Sequence, residues 1–95
     1  MEKIIKDGKD YYRLTKEENR QCLMLAEGKA KPSDFGYGFT EAAFLIACFL
    51  VPLKEVQAAG NVPEEFQAQT EELIKRAEEL SRTLVEAGKK AGEQQ

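Results

Sequence analysis

The chain has no histidine and only two cysteines, so the commonest general base and the commonest zinc ligand are both absent from its chemistry. What remains is carboxylate, amine, guanidinium, phenol and thiol. The acids come in doublets, Glu64-Glu65, Glu71-Glu72 and Glu78-Glu79, and all-helical hydrolases hold magnesium with carboxylates from facing helices. The helix expected to face them, however, offers only Glu41 and Glu55, one at each end. The doublets also lie outside the apolar seam of their own helix. Three of the six stand four residues before a basic partner, Glu71–Lys75, Glu72–Arg76 and Glu78–Arg82, which is how solvated helix faces are decorated. We therefore expect no metal site and no resident cofactor.

The thiols fare no better as nucleophiles. Cys22 and Cys48 both fall in apolar helical context, where a thiolate has neither a histidine nor a cation to stabilise it. Two cysteines make no disulfide framework, so reduced, buried thiols in a cytoplasmic protein are expected. Asp34-Phe35-Gly36 spells a kinase metal-binding tripeptide, but no glycine-rich loop, catalytic loop or lysine strand accompanies it. Gly36-x-Gly38 lacks the third glycine and the preceding strand of a dinucleotide fingerprint. The residues as a set predict a protein that is not an enzyme.

Two groups of residues carry binding chemistry. Ile4 and Tyr11 stand among Lys6, Lys9 and Arg13, an aromatic framed by cations that suits an acidic protein surface or a phosphorylated ligand. The ribbon edge could also accept a partner strand, or its lysines simply protect it from aggregation. The segment Lys29–Phe39 holds Lys29, Lys31, Phe35 and Tyr37 between glycines and a proline. Its aromatics either lid an anion pocket or plug the end of a bundle.

The elements that must position these groups follow from local signals. Asp7-Gly8 between β-favouring residues predicts a hairpin over 3–14 with a two-residue turn, pairing Lys6 with Lys9, Ile5 with Asp10 and Ile4 with Tyr11. Alternation puts Ile5, Tyr12 and Leu14 on the face expected to meet the core, and Ile4 and Tyr11 on the outer face. Thr15 and Glu18 form a capping box for a helix over 16–27. After the loop 28–39, Thr40 is the expected cap of a helix over 40–59. From Ala42 to Leu53 this helix has no polar side chain, and Pro52 predicts a kink or break. Its apolar run is too short for a membrane span. Gly60-Asn61-Val62-Pro63 predicts a tight antiparallel turn, with Asn61 as cap, into a helix over 63–90. Phe66, Thr70, Leu73, Ala77, Leu80, Leu84 and Ala87 form its 3–4 seam, and 91–95 is expected to fray.

The fold class expected is α+β, mostly α: a hairpin, a short helix and a long αα-hairpin in one domain. At 95 residues with 42% hydrophobic content, the chain has little to spare for covering a helix apolar on every side. A homodimer or higher oligomer through the Ala42–Leu53 helix is the expectation. A net charge of −3 argues against DNA binding, and the N-terminus has no apolar signal core. The function expected is a non-enzymatic oligomeric module, a small regulator or inhibitor that binds another protein. The alternatives are a binder of an anionic, nucleotide-like ligand held between protomers and a purely structural assembly protein.

Overall fold

The turn Asp7-Gly8 sets the first element. Both residues have positive φ, 54° and 74°, as a type I′ turn requires, and glycine meets that demand without steric cost. Strands β1 (Glu2–Lys6) and β2 (Lys9–Arg13) pair antiparallel in the expected register, Lys6 with Lys9, Ile5 with Asp10 and Ile4 with Tyr11. The computed structural model describes residues 1–92. Residues 93–95, and with them most of the tail expected to fray, lie outside the described residues, as does the side chain of Lys6.

Helix α1 (Lys16–Ala26) opens on its capping box. The Thr15 N–H donates to Glu18 Oε1 at 2.8 Å and the Glu18 N–H donates to Thr15 Oγ1 at 3.1 Å, which satisfies two of the orphan amides at a helix start. The helix turns Cys22, Leu25 and Ala26 inward. A short 3-10 turn, Pro32–Phe35, follows before α2 (Phe39–Ala58).

One expectation about α2 needs correction. Its N-cap is Gly38, in extended conformation, and the Gly38 carbonyl accepts the Ala42 N–H at 3.0 Å. Thr40 is therefore inside the first turn and is not the cap. Of the kink or break expected at Pro52, the break does not occur: the helix runs continuously from Phe39 to Ala58 with the proline inside it. Phe49 and Leu50 before the proline are buried and Leu53 after it packs against the core. That anchoring on both sides outweighs the missing amide, whose cost is of order 3 kcal/mol.

Gly60 ends α2 in the left-handed conformation, φ 71°. The Gly60 N–H reaches the Gln57 carbonyl and the Asn61 N–H reaches the Val56 carbonyl, each at 3.1 Å, the two bonds of a Schellman motif. Asn61 thus closes the preceding helix instead of capping the next. A 3-10 turn over Glu64–Phe66 leads into α3 (Gln67–Lys90), which has no side-chain cap.

Helices α2 and α3 pack antiparallel and form the body of the molecule, with α1 laid against both. The core gathers Ala42, Leu45, Ile46, Phe49 and Leu50 from α2, Ile74, Ala77 and Leu84 from α3, and Cys22 and Leu25 from α1. Each buried leucine, isoleucine or phenylalanine among them stabilises the fold by about 1.5–3 kcal/mol. The seam of α3 drifts from the strict heptad. Ile74 and Gly88 are buried in it, while Phe66 lies in the 3-10 turn with 48% of its surface exposed. The fold is α+β and mostly α, a hairpin followed by three helices. No helix among the described residues is long and apolar enough to cross a membrane.

Candidate interaction surface

The hairpin sits on the helices through few side chains. Leu14, just past β2, is buried in the core. The Tyr12 ring meets Phe44 of α2 edge-on, with centroids 5.4 Å apart, a geometry worth about 0.5–1.5 kcal/mol beyond area burial. The Met1 amino group pairs with Glu18 Oε1 at 2.9 Å.

The hairpin face that meets α2 differs in part from expectation. Ile4, Tyr11 and Arg13, the set read as outward, line a cleft of about 440 Å³ together with Tyr12, Val51, Pro52, Glu55 and Asp7. Ile5, read as inward, is 73% exposed. Tyr12 and Leu14 do turn toward the helices as expected.

The surface around this cleft is apolar beyond what packing inside the chain requires. On α2, Phe44, Ala47 and Val51 follow one another at helical spacing and all are exposed, Phe44 by 46% and Val51 by 43%. Tyr11 and Tyr12 from the hairpin are also exposed. An aromatic side chain presents about 150–250 Å². Phe44, Tyr11, Tyr12 and Val51 together therefore leave roughly 300 Å² of mostly apolar surface open, the size of the largest patch on an ordinary monomer and often functional. Charge frames it on both sides, with Arg13 on the hairpin and Glu55 on the helix.

The second group of candidate residues sits elsewhere. Phe35 and Tyr37 pack against the core, their ring centroids 6.1 Å apart. The Tyr37 hydroxyl donates to Gln21 Oε1. Burial, and then the nearby Glu18 carboxylate, pushes the Tyr37 hydroxyl above its usual titration range. These contacts hold the segment against the core and α1. Lys31 and Tyr37 line a smaller cleft of about 280 Å³ with Phe39, and Lys29 pairs with Glu27 at 3.6 Å. Within one chain, Tyr11 and Arg13 thus line one cleft while Lys31 and Tyr37 line another. Lys9 is exposed on the hairpin beside the turn.

Two of the five acids of α3 are in surface pairs. Arg76 Nε donates to Glu72 at 3.0 Å within the helix, and Glu78 crosses to Lys54 of α2 at 2.7 Å. Among the described residues no three acidic or thiol groups gather as a metal's ligands would. Burial pushes the Cys22 thiol up to about 12, with the Glu18 charge adding to it, and raises Cys48 for the same two reasons.

Sequence reasoning missed Val51, Pro52, Glu55 and Phe44 as parts of this surface. The signal was present in the uninterrupted apolar run of α2, whose circumference exceeds what one stripe of α3 and half of α1 can cover. Compared with protein-family models, curated proteins and solved structures, the chain has no match in any of the three.

Proposed function

We propose that the chain is a non-enzymatic interaction module that binds another protein chain through its hairpin and the outward side of α2. The observation that carries this reading is the apolar surface left open astride the 440 Å³ cleft, from Tyr11 and Tyr12 across to Phe44 and Val51. A small domain gains stability by covering such a surface, and aromatic residues beside an arginine are the usual anchors of a contact. The cleft suits an apolar side chain seated between Ile4, Tyr11, Val51 and Pro52, with Arg13 and Glu55 meeting opposite charges at the rim. Tyr11 and Val51 are exposed, so changing them leaves the core in place. The test is recovery of the protein's partner from cells with Tyr11→Ala and Val51→Asp variants whose circular dichroism matches the parent. Both variants should lose it. A partner retained by both, and lost on Gln69→Ala or Glu79→Ala on α3, overturns the reading.

A further inference from the structure

The two-stranded sheet has two open edges, and they differ in how they can pair. With a two-residue turn, the pairs Lys6–Lys9, Ile4–Tyr11 and Glu2–Arg13 exchange amides and carbonyls with each other. The backbone groups of Lys3 and Ile5 on β1, and of Asp10 and Tyr12 on β2, therefore point away from the ribbon. Among the described residues, none of these four makes a backbone hydrogen bond outside the hairpin.

We propose that β1 pairs antiparallel with β1 of a second copy, about a twofold axis at Ile4, to give a four-stranded sheet. The proposal rests on the hairpin being the contact element and names its occupant. The sequence of β1, Glu2-Lys3-Ile4-Ile5-Lys6, is complementary to itself in this register. Glu2 stands opposite Lys6 twice, Lys3 opposite Ile5 twice, and Ile4 opposite Ile4. Opposite charges across strands attract and like charges repel. Sliding the strands by one pleat in one direction sets Lys3 against Lys3, and in the other leaves Glu2 without a cross-strand partner.

The β2 edge is different. Its full-length twofold register sets Lys9 opposite Arg13 twice, like against like. The ladder therefore closes at four strands, and the lysines that guard the edges against open-ended stacking are compatible with one dimer. A twofold axis normal to the sheet keeps Ile4, Tyr11 and Arg13 of both copies on the same side. On that side Ile4, Tyr11 and Arg13 of each copy line the cleft beside α2, while Tyr12 of the opposite face reaches Phe44. On the other side, Ile5 meets the aliphatic stem of Lys3 of the second copy. About four new backbone hydrogen bonds and a few side chains make a small interface, so the dimer is a weak, micromolar one.

Charge exchange tests it by sedimentation equilibrium in the upper micromolar range. The unaltered chain dimerises. Lys6→Glu, which gains an attraction to Lys9 within its own hairpin, sets the new carboxylate against Glu2 of the second copy across the axis and weakens dimerisation at least about tenfold. Glu2→Lys weakens it likewise. Mixing the two restores opposite charges at both contacts, so the mixture forms heterodimers. Because Glu2→Lys also places a lysine opposite Arg13 in its own hairpin, Ile5→Pro serves as an independent variant: it removes an outward amide without touching the internal ladder, and it too abolishes dimers. A monomeric unaltered chain overturns the pairing, and if Tyr11→Ala and Val51→Asp still lose a partner, the contact surface survives that result. A dimer indifferent to Lys6→Glu and Ile5→Pro but broken by Phe44→Glu overturns it as well.

Discussion

A methyl group added at Gly88 would stand 2.8 Å from Thr40 Oγ1, closer than carbon and oxygen pack without displacement. The closeness reflects how the αα-hairpin is assembled: the C-terminal end of α3 lies directly on the first turn of α2, and the glycine is buried there. Two terms oppose each other in Gly88→Ala. Alanine is better than glycine inside a helix by about 0.8–1 kcal/mol. Overpacking a filled site costs about 1–3 kcal/mol, and here the obstacle is a short, β-branched side chain with little freedom to move aside. The steric term wins, leaving a net destabilisation of about 1 kcal/mol, or a fall in Tm of about 4–8 °C for a domain of this size. The next nearest atoms, Phe39 Cβ and Thr40 N, are at 3.6 Å, an ordinary contact. In a Thr40→Ala background, Gly88→Ala should therefore stabilise the fold by up to about 1 kcal/mol. Urea unfolding followed by circular dichroism on the four-member cycle isolates the coupling, because any other contribution of Thr40 cancels. The expected coupling is about 1–3 kcal/mol. If Gly88→Ala has the same effect in both backgrounds, the close approach of α3 to α2 at this point is refuted.

The seam of α3 makes a second contrast: Ile74→Ala should cost about 2–5 kcal/mol in urea unfolding, whereas Phe66→Ala, at an exposed position, should cost far less. Equal losses would return Phe66 to the core. The thiols give a third. With its titration raised to about 12, Cys22 holds only about one part in ten thousand as thiolate at pH 8, so a disulfide reagent should label the folded chain at Cys22 extremely slowly and the urea-unfolded chain at once. The raised value also fixes the sign of a pH effect. The folded state prefers the neutral thiol, so its contribution to stability is intact below the ordinary thiol range near 9 and declines as pH climbs toward about 12. Cys22→Ala should flatten that alkaline decline. Rapid native labelling, or an unchanged alkaline slope in the variant, would contradict the burial.

The elements legible in the sequence were those fixed by a few neighbouring residues. The hairpin register follows from Asp7-Gly8, the start of α1 from Thr15 and Glu18, and the antiparallel turn from Gly60, because each depends on hydrogen bonds spanning only a few residues. What long-range packing decides was not legible. Ile4-Ile5 and Tyr11-Tyr12 put an apolar residue on both faces of the ribbon, so alternation could not say that Ile4 would line the cleft and Ile5 would be exposed. A heptad reading keeps strict spacing, yet an α-helix turns every 3.6 residues, and over the length of α3 the mismatch brings Gly88 into the seam, while Ile74 is buried because the core face is wider than a two-position seam. The helix start at Gly38 and the continuity through Pro52 are likewise set by what packs around α2. The proposed contact surface is half legible. Tyr11 and Arg13 stand out by their residue types, while Val51, Pro52 and Glu55 join them only because the hairpin folds beside α2.

The most direct test of the interaction surface is photocrosslinking in living cells from two positions of the full chain. A benzoylphenylalanine at Val51, in the cleft, should yield a discrete adduct with another protein chain or a second copy. The same residue at Gln69, exposed on α3, should not. A discrete adduct from Gln69 with none from Val51 would contradict the account, because it would move the contact to the side of the bundle that the hairpin leaves uncovered.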